Sequence, residues 1–213
     1  MISQSHTIAK LLLDIHAVKL SPNQPFTFSS GIQSPIYCDN RILISYPQHR
    51  QRITAAFIKQ IQQLDLQFDV IAGTATAGIP HAAWLAHALD KPMIYVRSKP
   101  KGHGQGNQIE GIIQPNQTAL VIEDLVSTGG SVINAVQAIR AANAKVNDCL
   151  CIFSYGMQQA NQAIHAAKLH CHSLTELDAL LDTAIEQAYI DASDIPLIRQ
   201  WQHCPEQWPN KTL

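Results

Sequence analysis

The chain has little charge. Charged residues make up 15% of its 213 positions and cancel to a formal net charge of -1. That balance gives no bulk electrostatic case for nucleic acid or an anionic membrane, so any anion site has to be built locally. Cysteines are few, odd in number at five, and scattered. They suggest no disulfide framework, and a reducing cytoplasm is the expected compartment. "HCH" at His170 to His172 and "CLC" at Cys149 to Cys151 lack the partner spacing of a zinc site. Cys149 and Cys151, two apart on one strand face, read instead as small buried residues. No apolar run approaches the ~20 residues of a membrane span. The opening segment lacks the basic start and long apolar core of a signal peptide. There is no internal repeat and no low-complexity segment.

What is present is a hydrophobic content of 46%, enough for one domain with a full core. The first helix carries Ile8, Leu11, Leu12 and Ile15 on one face. Phe26 to Phe28 and Ile36 to Tyr37 predict two short strands around a turn. A helix with proline near its start follows from Tyr46. Then strands and helices alternate. Phe68 to Ala72 is a buried strand, and "IPHAAWLAHALD" is a helix with Trp84 in the core. "PMIYVR" and "TALVIED" are strands, and "GSVINAVQAIRAA" is a helix with Val132, Ile133, Val136 and Ile139 inward. "KVNDCLCIFSY" is a strand and "MQQANQAIHAAKL" a helix. This order predicts an α/β fold, a mostly parallel sheet flanked by helices. The segment from Ser173 reads as helical, with Thr175 and Asp178 spaced as a capping box. Trp201 and Trp208 in the tail are expected to pack or to meet another subunit.

The chemistry concentrates in "ALVIEDLVSTGGSV". A buried strand ends in two carboxylates, Glu123 and Asp124, and runs into the loop Leu125, Val126, Ser127, Thr128, Gly129, Gly130, Ser131 before a helix. In an open α/β sheet, ligands bind beyond the carboxyl ends of the strands. Free N–H groups at the helix start suit a phosphate, and the hydroxyls of Ser127, Thr128 and Ser131 add donors. Carboxylates do not bind phosphate, but they accept hydrogen bonds from vicinal hydroxyls. A ribose 5-phosphate satisfies both halves. No Walker loop occurs, and "GHGQGN" lacks Rossmann spacing.

"VIEDLVSTGG" resembles the phosphoribosyl pyrophosphate (PRPP) motif of the type I phosphoribosyltransferases. The resemblance implies that the acids hold the ribose hydroxyls and the loop holds the 5-phosphate. It also implies a small hood over the base site, from residues 1–45 and the C-terminal helices, on a single domain spanning 1–213. A second stretch, "VRSKPKGHGQGNQIEG", is basic and glycine-rich, suited to close over a polyanion. It is similar to the catalytic loop of the orotate phosphoribosyltransferases. By that resemblance Arg97, Lys101 and His103 grip pyrophosphate, with Lys99 an extra cation, and the loop acts on the neighbouring subunit of a homodimer. "FTFSSGIQSPIYCDNR" and "AGTATAGIPHA" resemble that family's base-covering segment and pyrophosphate-side loop, where backbone amides from Thr74 to Ala77 face the ligand. Ser29, Thr76, Ala77 and Ser98 stand where some members carry lysine, an aromatic–lysine pair, and a basic residue. An arginine that touches orotate in some members has no counterpart in "SYGM".

The resemblance implies orotate + PRPP ⇌ orotidine 5′-phosphate + pyrophosphate, in pyrimidine biosynthesis. Lys101, His103, Arg97 and Asp124 are the expected catalytic residues, and Ser127 is expected to contact orotate. Mg²⁺ is expected mainly through PRPP, without a direct protein ligand. No nucleic acid or membrane partner is expected. A transferase for another base is opposed by the base-covering segment. A non-enzymatic PRPP-binding regulator is opposed by the intact basic loop.

Overall fold

A computed structural model describes residues 3–27, 31–100 and 107–208. Ser3 caps the first helix, α1 (Gln4–Asp14), its hydroxyl accepting from the His6 N–H at 3.3 Å. Ile8, Leu11, Leu12 and Ile15 are buried as the periodicity requires, joined by Ala9 and Leu13. Four short strands follow: β1 (Val18–Leu20), β2 (Phe26–Thr27), β3 (Gln33–Ser34) and β4 (Ile36–Cys38). The expected pair of strands is in fact two pairs: β2 meets β3, while β4 runs back to β1, both antiparallel. Ser34, buried and bonded to both ends of Ile36, marks the change of partner. Helix α2 (Pro47–Gln63) starts on its proline.

The main sheet is laid down by β5 (Val70–Thr74), α3 (Gly78–Leu89), β6 (Met93–Val96), β7 (Ile109–Glu110), β8 (Thr118–Val126), α4 (Gly130–Ala141), β9 (Lys145–Ser154), α5 (Gln158–Ala166) and β10 (His170–Glu176). Helix α6 (Leu177–Glu186) and α7 (Ile195–His203) close the chain, with a short turn of helix at Pro205–Gln207. The six strands lie in the order β10-β9-β8-β5-β6-β7, parallel except for β7 at one edge. Helix α3 packs over β5, β6 and β8, α4 over β8 and β9, and α1 and α6 against β10. This is the expected sheet flanked by helices. Cys149 and Cys151 are fully buried on β9. One buried apolar cluster runs from Ile8 to Trp208. No helix among the described residues is long and apolar enough to cross a membrane.

Several expectations shift. The strand predicted over residues 68–72 lies two residues later, because pairing with β8 begins at Val70 and pairing with β6 runs on to Thr74. The expected capping box is absent: Thr175 is a strand residue whose hydroxyl accepts from Ser5, and Glu176 is the helix N-cap. Strand β10 escaped the sequence because it is an edge, half-exposed over His170 to Ser173, so it shows no apolar run. Ile133 is half-buried, its inward place taken by Ala135. Trp84 is half-buried as well, with the Arg50 guanidinium 4.9 Å above its ring.

Candidate active site

Strand β8 sits at the centre of the sheet, with β5 on one side and β9 on the other. Its apolar run is sealed, and burial continues through Glu123, which is only 4% exposed. Strand pairing extends further than the sequence suggested: Leu125 and Val126 are paired with Phe153 and Ser154, so the loop shortens to Ser127 to Gly129. The two acids therefore stand inside a paired strand, on a rigid support. A carboxylate in that position pays for lost water. Burial first, and the Asp124 charge second, push the Glu123 carboxyl up to about 9. Burial also raises Asp124, opposed by the hydrogen bond from Glu123. The Asp124 backbone N–H donates to Glu123 Oε1 at 3.0 Å. Asn40, buried just after β4, donates to the Asp124 carbonyl at 2.7 Å and ties the N-terminal segment to the acids.

Gly129, at φ +81°, turns the chain into α4 as its N-cap, and no side chain caps the helix. The N–H groups of the first turn stay available to a ligand. Opposite lies the turn from Thr74 to Ala77, which contains a cis peptide between Ala75 and Thr76. Thr74 Oγ1 is buried, with no hydrogen-bond partner among the described residues. Gly78 begins α3 so close to β8 that a Cβ would stand 2.4 Å from the Ile122 carbonyl oxygen. Only glycine fits there. A cavity of about 210 Å³ lies between these parts, lined by Thr74, Ala75, Arg97, Ser98, Ser131 and Asn134 among others. Arg97 faces it with an ion pair to Glu110 at 3.4 Å. Asn134 donates to the Ser98 carbonyl at 2.9 Å and accepts from Gln108 at 3.1 Å, while Gln108 also donates to the Arg97 carbonyl. These bonds pin both feet of the basic loop to α4.

On the other side of Ser127 a second cavity of about 520 Å³ opens. Leu125, Ser127 and Thr128 form its inner wall. Ile32 and Cys38 close it from the N-terminal segment, Tyr155 from the end of β9, and Trp201 to Glu206 from the C-terminal end. Tyr155 packs edge-on against Phe153 at 5.2 Å and against Trp201 at 5.1 Å. Trp201 and Trp208 are buried, as expected of packing residues.

Of the residues singled out by sequence, Glu123, Asp124, Leu125, Val126, Ser127, Thr128, Gly129, Gly130, Ser131 and Arg97 gather at the top of β6, β8 and α4. Lys101 and His103 lie outside the described residues, as does Ser29. Among the described residues no three His, Cys, Asp or Glu side chains group as a metal site. Sequence reasoning missed Asn40, Gln108, Asn134 and the wall from Trp201 to Glu206. Asn134 was reachable, since it sits three residues past Ser131 on the same helix face. The C-terminal wall carried no local signal.

Comparisons with known proteins agree with this geometry. Residues 44–176 match the phosphoribosyl transferase domain family. The chain is 50% identical over 206 residues to the orotate phosphoribosyltransferase of Coxiella burnetii, covering 97% of this chain and 99% of that one. It is 50% identical over 199 residues to that of Bacillus subtilis, covering 93% and 92%. The crystal structure of orotate phosphoribosyltransferase from Aeropyrum pernix superposes with a TM-score of 0.73 at 28% identity, covering 82% of this chain and 96% of that one. The chain belongs to the phosphoribosyltransferase family and, within it, to the orotate phosphoribosyltransferases.

Proposed function

We propose that the two cavities and the acids between them bind PRPP and orotate, and that the chain transfers the phosphoribosyl group to orotate N1 with release of pyrophosphate. The observation that carries this reading is the Glu123–Asp124 pair, the first buried and the second half-buried, held in one strand that runs on to the uncapped start of α4. Ser127 to Ser131 hold the 5-phosphate with backbone N–H groups and hydroxyls. Glu123 and Asp124 accept from the ribose hydroxyls and oppose positive charge as the glycosidic carbon becomes oxocarbenium-like. Arg97, Lys101 and His103 take up charge on the departing pyrophosphate, together with backbone amides between Thr74 and Ala77. Orotate N1 attacks as an anion, so no covalent nucleophile is needed. Ser127 faces both cavities' ligands, the ribose phosphate and the base.

Mg²⁺ fits this donor set, because two adjacent carboxyls raised by burial have no ion pair to a lysine or arginine among the described residues. Glu123 and Asp124 would reach it through the ribose hydroxyls or water, and when bound it neutralises pyrophosphate charge. The chain works as a homodimer in which the basic loop serves the neighbouring site. Its free cysteines suit the cytoplasm. The test is an ultraviolet assay of orotate consumption with PRPP and Mg²⁺, run beside hypoxanthine, adenine and uracil. PRPP-dependent loss of orotate with release of pyrophosphate is expected. Turnover of another base alone would overturn the substrate, and PRPP binding without any turnover would point to a regulator.

A further inference from the structure

The 520 Å³ cavity has a polar side that the reaction as described does not use. Among the described residues that line it there is no lysine or arginine. The donors that this described lining offers to a base's exocyclic oxygens are therefore neutral. Ser127 is one of them, already given to the base above; Thr128 belongs to the phosphate loop, and Gln158 and Gln159 are exposed. His203 is bonded through Nδ1 to the Arg199 carbonyl at 2.8 Å. Its Nδ1 is the donor in that bond, so the neutral ring offers the cavity an acceptor at Nε2, the wrong polarity for oxygen.

Gln202 differs. Its Nε2 donates to the Tyr155 carbonyl at 2.6 Å, and its Oε1 accepts from Arg199 Nη1 at 2.9 Å. Arg199 is in turn ion-paired with Asp178 on α6. A flipped amide would set acceptor against acceptor and donor against donor, so both ends fix its orientation. One N–H of Nε2 is left over. Gly156 makes room for it: a Cβ there would lie 3.3 Å from Gln202 Nε2, and at φ +65° an L side chain is strained besides.

We propose that Gln202 is a specificity-determining residue for the base, donating its second amide N–H to an exocyclic oxygen of orotate, and that α7 thereby forms part of the base site. The ring carbonyls and the carboxylate share this chemistry. A base without such an oxygen leaves the donor unanswered, which disfavours it. The assignment rests on the reading of this cavity as the orotate site.

The experiment compares wild type with Gln202→Leu and Gln202→Glu in steady state, varying orotate and PRPP separately, with uracil as a competitive inhibitor. Melting temperature and tryptophan fluorescence follow the fold. Gln202→Leu is expected to raise KM for orotate about tenfold, the scale of one buried hydrogen bond, with KM for PRPP within about twofold. Gln202→Glu keeps the Arg199 contact, supplies no donor, and is expected to weaken orotate further. If uracil weakens in proportion, the partner is a ring carbonyl; if uracil is unmoved, it is the carboxylate. Unchanged KM for orotate in both variants, or KM for PRPP rising in step, overturns the assignment and leaves a packing role. Silence of the wild-type enzyme on orotate overturns the underlying reading, and this one with it.

Discussion

The two cavities flanking Ser127 are built in opposite ways. The smaller, phosphate-side one is walled by the ends of β5 and β6, two strands of the central sheet, and by the start of α4, which packs on that sheet. Its donors are backbone amides and short hydroxyl side chains held by strand pairing. The larger one has only its floor on that sheet; its roof comes from residues near both ends of the chain. A highly charged ligand demands donors that do not relax, and the central strands supply them. A planar base demands shape and a few polar contacts, which can be supplied by packed side chains of any origin. The contrast implies that changes around Arg97, Ser98 and Asn134 act whichever base is offered, while changes in the roof of the second cavity act on the base alone.

The sharpest test of that division is Lys101→Ala. It is expected to lower kcat by roughly 10²–10³ while PRPP affinity falls far less, if the proposed contact strengthens as pyrophosphate leaves. Equal losses in both would contradict the role. Trp201→Ala strikes the other half. Removing a buried tryptophan from the roof costs about 3–5 kcal/mol, read in denaturant melts, and KM should rise for orotate alone. A matching rise for PRPP would mean that the two cavities are one cooperative unit. Gly78→Ala tests the seam between the pyrophosphate turn and the acid strand: the added methyl meets the Ile122 carbonyl, at a cost of roughly 1–3 kcal/mol in stability. Wild-type stability in this variant would show that α3 can slide.

A further test concerns the acids. Glu123 holds its proton up to about 9 in the folded chain, against 4.5 ordinarily. Between those values the native state binds a proton that the unfolded chain has lost, so stability falls as pH rises through that window. Melting temperature measured from pH 6 to pH 9 should decline, and Glu123→Gln should flatten the slope. An unaltered slope in the variant would remove Glu123 as its source.

The same contrast decides what the sequence could reveal. The phosphate side lies within a dozen consecutive residues, where strand end, acid pair, glycine turn and helix start follow in order, so each can be read from its neighbours. Even there the strand was drawn too short, because pairing of Leu125 and Val126 with β9 is a tertiary fact. The base side joins Ile32, Leu125, Tyr155 and Trp201, and no local pattern links positions so far apart. The α/β alternation was legible from buried strands such as β5, and β2 from its aromatic β-formers, whereas the edge strand β10 and the two-residue strands β3 and β7 were not, being too short or too polar to show a period. Asn40 was visible as a letter in "CDNR", yet its grip on Asp124 joins positions 84 residues apart, a tertiary fact.

The pinned feet of the basic loop set a leash. The Arg97 N–H and the Gln108 carbonyl are bonded at 2.9 Å, so residues 98–107 leave and return at one point. Such a tether, out and back, extends no further than roughly 18 Å from its anchor at ~3.4 Å per residue. A subunit arrangement in which this loop serves its neighbour must bring the neighbour's phosphate cavity within that radius of Arg97 plus the length of one side chain, and any packing of two copies that leaves it farther away is excluded by chain length alone.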